Sequence, residues 1–255
     1  MNGAYEISGM ALLAQQRALD AGASNIANIH TPGFKRSEVR FSEVLSSSAL
    51  AAAPRADLGA SPPLSGIVAS VSLALDEQGE IETTGRPLDI ALSGRGFIEL
   101  MGPRGQSMLW RGGALSVQED GLLATAGGLA LRASIEIPET ATALSISAEG
   151  VVRAIVGEDG AEVELGRIPL VDAPAAGLER LDGGVYRMRD DARTEDIVPG
   201  EGANAVFMQG AVERSNVDLN QEMVRLMIVQ RAYAANAQVV QAADQLMAIA
   251  NGLRK

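Results

Sequence analysis

The stretch DLNQEMVRLMIVQRAYAANAQVVQAADQLMAIAN, Asp218 to Asn251, contains neither glycine nor proline. Most of its residues are good helix formers, so the summed propensity predicts one long helix. Apolar residues recur along it at steps of four and three: Leu219, Met223, Leu226, Tyr233, Ala237, Val240 and Met247, with polar Gln230 and Asp244 on the same seam. Met227, Ala234, Val239, Ala243, Leu246 and Ala250 form a second seam beside the first. Asp218 is placed to cap the N-terminus, Gln221 to reach back to it, and Gly252 to stop the helix. At 1.5 Å per residue the element is roughly 50 Å long, and one partner helix would cover only part of its apolar surface. Periodicity alone fits a core helix of an ordinary globular domain equally well.

A shorter match lies at the other end of the chain. Ile7, Met10, Leu13 or Ala14, Ala18 and Ala21 recur at helical spacing and predict a helix from about Ala4 to Ile26, weakened locally by Gly22. The run from Asn25 to Arg36, NIANIHTPGFKR, ends it, because His30 to Gly33 cannot continue a helix and Pro32-Gly33 is a turn dipeptide. Residues 37–75 are rich in Ser, Ala and Pro and read as an extended connector.

Over residues 76–187 the apolar period shortens to two. Leu88 to Leu92, Gly96 to Leu100, Met108 to Trp110, Leu122 to Ala124, Ile135 to Pro138, Leu144 to Ile146, Val151 to Val156 and Ile168 to Val171 read as strands punctuated by turns such as Glu149-Gly150. Residues 188–214 form a charged return connector, and 215–255 carry the final helix. The fold class predicted is α+β, with paired, coiled-coil-like terminal helices (within 1–36 and 215–255) and an inserted all-β domain.

The net charge of −11, with Lys35 and Lys255 the only lysines, argues against nucleic acid as a partner. The absence of cysteine excludes disulfides, thiolate metal sites and a cysteine nucleophile. His30 is the single histidine and sits in a turn, so no Ser-His-Asp set and no histidine metal cluster can form. Gly94-Arg95-Gly96 has Glu99 where a dinucleotide loop needs its third glycine. Glu119-Asp120, Glu158-Asp159 and Asp190-Asp191 read as solvated pairs, two of them in turns before glycine. Arg95, Arg104 and Arg111 are read as scattered rather than as a patch, and Trp110 as a core anchor. No catalytic residue, cofactor or metal is expected. No segment is long and apolar enough to span a membrane, and the N-terminus lacks the basic start of a cleaved secretory signal.

Asn25, Asn28, Thr31, Gly33, Phe34 and Lys35 resemble the N-terminal signature of the bacterial flagellar rod and hook proteins. In that signature an amphipathic helix ends in an asparagine-rich segment followed by Thr-x-Gly-aromatic-basic; Ser24 stands where a second asparagine is usual. Thr84 to Phe97 resembles the family's central-domain motif. Trp110-Arg111-Gly112-Gly113 stands where aromatic-Arg-Asp-Gly is usual, and Gly112 in place of the Asp is expected to loosen that turn. Gly210 to Asp218, Glu222-Met223-Val224 and Gln230 to Asn236 are similar to the C-terminal signature.

The resemblance implies a non-enzymatic structural subunit of the flagellar basal-body rod that assembles into a helical tube transmitting torque from motor to hook. The short length and single β insertion resemble a distal rod position more than a proximal one. Implied partners are copies of itself, neighbouring rod and hook proteins and the ring proteins around the rod, without membrane insertion. The implied location is the periplasm-spanning basal body, reached by type III export without a cleaved signal. Polar Gln230 and Asp244 on an apolar seam are then where packing register is set, at some cost in stability. From the residues alone, a monomeric β-rich binding or carbohydrate-processing module on a helical stalk stays open.

Overall fold

The computed structural model describes residues 2–44, 66–157, 160–189, 193–202 and 204–252. Helices α1 (Asn2–Ala27) and α2 (Leu219–Gly252) stand at the two ends of a β-rich chain, an α+β arrangement. The chain forms two compact units: the first takes Met1–Ala27, Ser37–Ser72 and Asp218–Lys255, the second Asn28–Arg36 and Leu73–Val217. The turn after α1 therefore groups with the β-rich unit rather than with its own helix, because Gly33, Phe34 and Lys35 are buried there.

In the first unit α1 packs against α2 and against β1 (Ser37–Val44). That strand pairs with β2 (Gly66–Leu73) in a two-stranded sheet, so both ends of the expected connector are strands; residues 45–65 lie outside the described ones. Among the α1 residues whose burial is described, Ala14, Gly22 and Asn25 are buried, while Leu13 is 66% exposed. Ala14 is thus the inward member of the Leu13/Ala14 pair. A Cβ on Gly22 would stand 2.8 Å from Leu226 Cδ2, so the glycine that weakens the helix is also what lets α1 approach α2 closely. Asp218 caps α2: its Oδ1 accepts the N–H groups of Asn220 at 2.8 Å and Gln221 at 3.1 Å.

The second unit is antiparallel throughout its named strand pairs. Its strands are β3 (Ile81–Thr83), β4 (Asp89–Ser93), β5 (Phe97–Met101), β6 (Ser107–Trp110), β7 (Gly112–Val117) and β8 (Leu123–Thr125). There follow β9 (Ala141–Ile146), β10 (Val151–Val156), β11 (Ala161–Arg167), β12 (Leu170–Asp172) and β13 (Leu178–Arg180). Last come β14 (Val185–Met188), β15 (Glu195–Ile197), β16 (Val206–Gln209) and β17 (Ala211–Glu213). They make sheets ordered β13-β14-β6-β5-β12-β15, β16-β4-β7-β8, β11-β10-β9 and β17-β3.

Alternation on the largest sheet separates two cores. Ile98, Leu100, Trp110, Leu170 and Val185 join one cluster with Ile90, Leu92, Val152 and Phe207. Their sequence neighbours Phe97, Leu109, Val171 and Tyr186 join another with Leu73 and Leu178. Successive strand side chains point to opposite faces, and both faces here are covered.

Two further segments differ from the sequence reading. Within the expected return connector 188–214, β15 pairs with β12, β16 with β4 and β17 with β3. β15 is short and acidic because it lies at a sheet edge, where charge discourages further pairing, and that composition reads as loop. Ile135 to Pro138, expected as a strand, makes only an isolated bridge from Glu136 to Leu122. Ile135 is nonetheless a core residue, and Pro138 has no N–H with which to extend the ladder.

Candidate assembly surface and buried clasp

The N-terminal signature residues are structural in both units. In the first, the buried Asn25 amide grips one residue twice: Oδ1 accepts the Ser37 N–H at 2.8 Å and Nδ2 donates to the Ser37 carbonyl at 3.0 Å. A side-chain amide carries one acceptor and one donor group, and this site uses both. Asn28 and Thr31 build the turn in the second unit, the Thr31 hydroxyl donating to Asn28 Oδ1 at 3.1 Å and its N–H to the Asn28 carbonyl at 3.1 Å.

Gly33, Phe34 and Lys35 are buried. The Gly33 N–H donates to the Glu213 carbonyl at 2.7 Å, and the Gly33 carbonyl accepts the Tyr186 hydroxyl at 3.1 Å. Phe34 lies under the Arg180 guanidinium, 4.5 Å from ring centroid to Cζ. Lys35 Nζ meets Glu213 Oε1 at 2.6 Å and the Glu77 carbonyl at 2.7 Å, and its backbone N–H donates to the Tyr186 hydroxyl at 3.0 Å.

Glu213 closes the cluster. Arg111 places Nη2 at 2.9 Å and Nε at 3.1 Å from Glu213 Oε2, and the Gly79 N–H donates to Oε1 at 3.0 Å. The remaining Arg111 donors reach the carbonyls of Gly94 and Gly96. Beside it Asn216 Oδ1 accepts the Arg36 N–H at 2.7 Å, and Asn216 Nδ2 donates to the carbonyls of Ala74 and Glu77.

Burial pulls the Lys35 ammonium below its ordinary value, and the Glu213 charge opposes that pull. Burial pushes the Tyr186 phenol up to about 12. The two cations share one carboxylate whose oxygens are all paired, the condition under which a buried ionic cluster holds together.

Sequence reasoning singled out Lys35 but not its partners Glu213 and Tyr186, nor Arg111, which shares Glu213 with it, nor Asn216 beside them. Arg111, read as one of several scattered arginines, is a buried member of the clasp. At φ +108, with a Cβ position 2.4 Å from the Ile90 carbonyl oxygen, Gly112 is the residue that lets β7 lie against β4. A cleft of about 330 Å³ borders the cluster, lined by Arg95, Phe97, Asp172 and Glu195 among others, and Arg95 faces Asp172 across 3.6 Å. Among the described residues no group of three or more His, Cys, Asp or Glu could hold a metal ion.

On α2 the expected seam splits. Leu219, Met223, Gln230, Tyr233 and Asp244 are exposed, whereas Leu226, Ala237 and Val240 are half-buried; the Met247 side chain is outside the described ones. The less exposed line runs through Glu222, Leu226, Val229, Ala232, Asn236, Val240 and Ala243. It contains Glu222, 2% exposed, and Asn236, polar residues that a search for apolar spacing passes over. Away from it Val224, Met227, Ile228, Val239, Leu246 and Ile249 are each at least half exposed, at 50 to 65%. No described helix is long and apolar enough to cross a membrane.

Comparison with known proteins places these features in a family. The model described as "Flagella basal body rod protein" matches residues 6–35, "Flagellar hook protein FlgE/F/G D1 domain" matches 91–154, and "Flagellar basal body rod FlgEFG protein C-terminal" matches 208–253. Lys35, Arg111 and Glu213 thus fall one in each matched segment. The flagellar basal-body rod protein FlgG of Caulobacter vibrioides is 31% identical over 97% of this chain and 97% of its own length. FlgG of Buchnera aphidicola from Acyrthosiphon pisum is 29% identical over 94% and 95%, and the rod protein FlgF of Escherichia coli K12 is 29% identical over 91% and 90%. With its signatures, its helices and nearly its whole length aligned, this chain belongs to the flagellar basal-body rod protein family as a FlgG-like member.

Proposed function

We propose that the protein is a rod subunit whose terminal helices polymerise it into a helical tube carrying torque from motor to hook. The observation that carries this reading is the apolar surface left along α2, where Val224, Met227, Ile228, Val239, Leu246 and Ile249 remain open in the single chain. A surface of this kind is a liability on a monomer and an interface in a polymer. A contact between different faces of identical subunits does not close on itself and generates a helical filament. Coiled-coil-type packing of α1 and α2 from successive copies would bury the surface, with Gln230 and Asp244 setting register. Other rod proteins and the hook would contact the ends of the tube, and ring proteins its outside.

A proximal position in the rod is the second reading, favoured by the 29% identity to FlgF over 91% of the chain. The alignment with FlgG proteins over 97% of the chain supports the distal position. Sedimentation and electron microscopy of the full chain against a truncation ending at Asn216 test the assembly reading. Loss of α2 abolishes ordered polymer; unchanged polymer formation sinks it. Labelling the subunit in isolated basal bodies separates a distal from a proximal position.

A further inference from the structure

We infer that Met223 and Met227 form an oxidation-sensitive pair on α2, through which a peroxide-class oxidant controls self-association. The inference rests on the assembly reading above. The two side chains are each 50% exposed, one helical turn apart and on the same side of the helix. The chain has nine methionines and no cysteine, so thioethers, not thiols, are its readily oxidised sulfur. Exposure sorts the described methionines: Met108 is a core residue at 7%, Met10 on α1 and Met188 are half-buried, and Met101 at 47% and Met208 at 38% lie open on the β-rich unit. Among the methionines whose side chains are described, only Met223 and Met227 are exposed on a helix.

Hydrogen peroxide would transfer one oxygen atom to each sulfur. The O–O bond breaks, a sulfur–oxygen bond forms, the sulfur gives up two electrons and water leaves. The product sulfoxide is polar where the thioether was apolar, and reductases can reverse the change. Two adjacent sulfoxides would carry unpaired acceptors into any helix contact that excludes water, which disfavours the contact. Growing polymer would therefore reject oxidised subunits until they are reduced.

The test uses full-length protein oxidised partway with hydrogen peroxide, then allowed to assemble, sedimented, and mapped by peptide mass spectrometry. Met223 and Met227 sulfoxides should form several-fold faster than that of Met108 and be depleted several-fold in the pellet relative to the supernatant. Met101 and Met208 sulfoxides should divide evenly. Methionine sulfoxide reductases should then return the supernatant protein to the pellet. Even partition of the Met223 and Met227 sulfoxides, or oxidation of Met108 at the same rate, overturns the inference. Absence of a pellet from untreated protein overturns the assembly reading itself, and this inference with it.

Discussion

Lys35 Nζ lies 2.6 Å from Glu213 Oε1, an ion pair between side chains 1% and 0% exposed and 178 positions apart in sequence. Arg111 occupies the other carboxylate oxygen from a third point in the chain. The segments that enter and leave the β-rich unit are therefore tied to each other and to its sheets through one carboxylate. A fully paired buried cluster of this kind adds little over an apolar core of the same volume, yet removing its anion leaves uncompensated buried cations.

Glu213→Gln is accordingly expected to cost about 3 to 5 kcal/mol of unfolding free energy. Glu77→Gln removes a partner of Arg36 whose side chain is 58% exposed and should cost less than about 1 kcal/mol. Trp110, the single tryptophan, is buried in the same unit, so its fluorescence in urea titrations follows both variants. Near-equal losses would show that Glu213 is not the anchor of the cluster.

The same cluster is expected to make stability fall at alkaline pH. Tyr186 has a folded pKa raised to about 12, with burial the leading cause, while an unfolded tyrosine titrates near 10. Its contribution is complete below pH 10 and fades as the unfolded chain deprotonates between pH 10 and about 12, a loss of roughly 3 kcal/mol. Lys35 acts in the opposite sense. Its folded pKa is lowered, chiefly by burial, so in the window below 10.5 the unfolded chain binds more protons and stability from this group rises with pH. Spectrophotometric titration of tyrosinate should show a late step near pH 12 that Tyr186→Phe abolishes. Persistence of that step in the variant would assign it elsewhere.

Gly112 yields a test of backbone chemistry. An Asp at this position requires a Cβ 2.4 Å from the Ile90 carbonyl oxygen at φ +108, so either the backbone moves or β7 separates from β4. Gly112→Asp should destabilise the unit by at least about 2 kcal/mol and shift the Trp110 emission. A neutral effect in urea unfolding would mean that the strand pair relaxes freely.

How legible these features were depended on how local their causes are. Helices α1 and α2 follow from propensity and caps that act within a few residues, and β4, β5, β6 and β10 follow from period-two apolar runs. Ion pairing between Lys35 and Glu213 has no local signal, because an isolated Lys and an isolated Glu read the same whether solvated or buried. Gly22 and Gly112 carried a signal whose sign was hidden. Glycine lowers helix propensity or relaxes a turn in isolation, but here each marks a close approach, to Leu226 Cδ2 and to the Ile90 carbonyl. The inward line of α2 was displaced from the apolar seam because it includes the buried Glu222, and a hydrophobic pattern cannot report a polar residue that packing has enclosed.

That displacement separates two classes of α2 variant. Leu226 is half-buried with its Cδ2 against Gly22 of α1, so Leu226→Asp places a charge inside the helix pair. It should lower the helical circular dichroism of the single chain, at a cost of about 2 to 4 kcal/mol. Ile228 is 62% exposed, so Ile228→Asp should leave the circular dichroism and the Trp110 fluorescence unchanged while abolishing sedimentable polymer and motility. Gln230→Leu should keep polymer but broaden its diameter and order in electron micrographs, because an apolar residue there no longer penalises slipped packing. Uniform polymer from Ile228→Asp would place the subunit contact on another face of α2. The same outcome from Gln230→Leu would remove its register role alone. Equal loss of helicity in both aspartate variants would instead mean that Ile228 is enclosed before assembly, leaving the single chain without the open apolar face on which polymerisation depends.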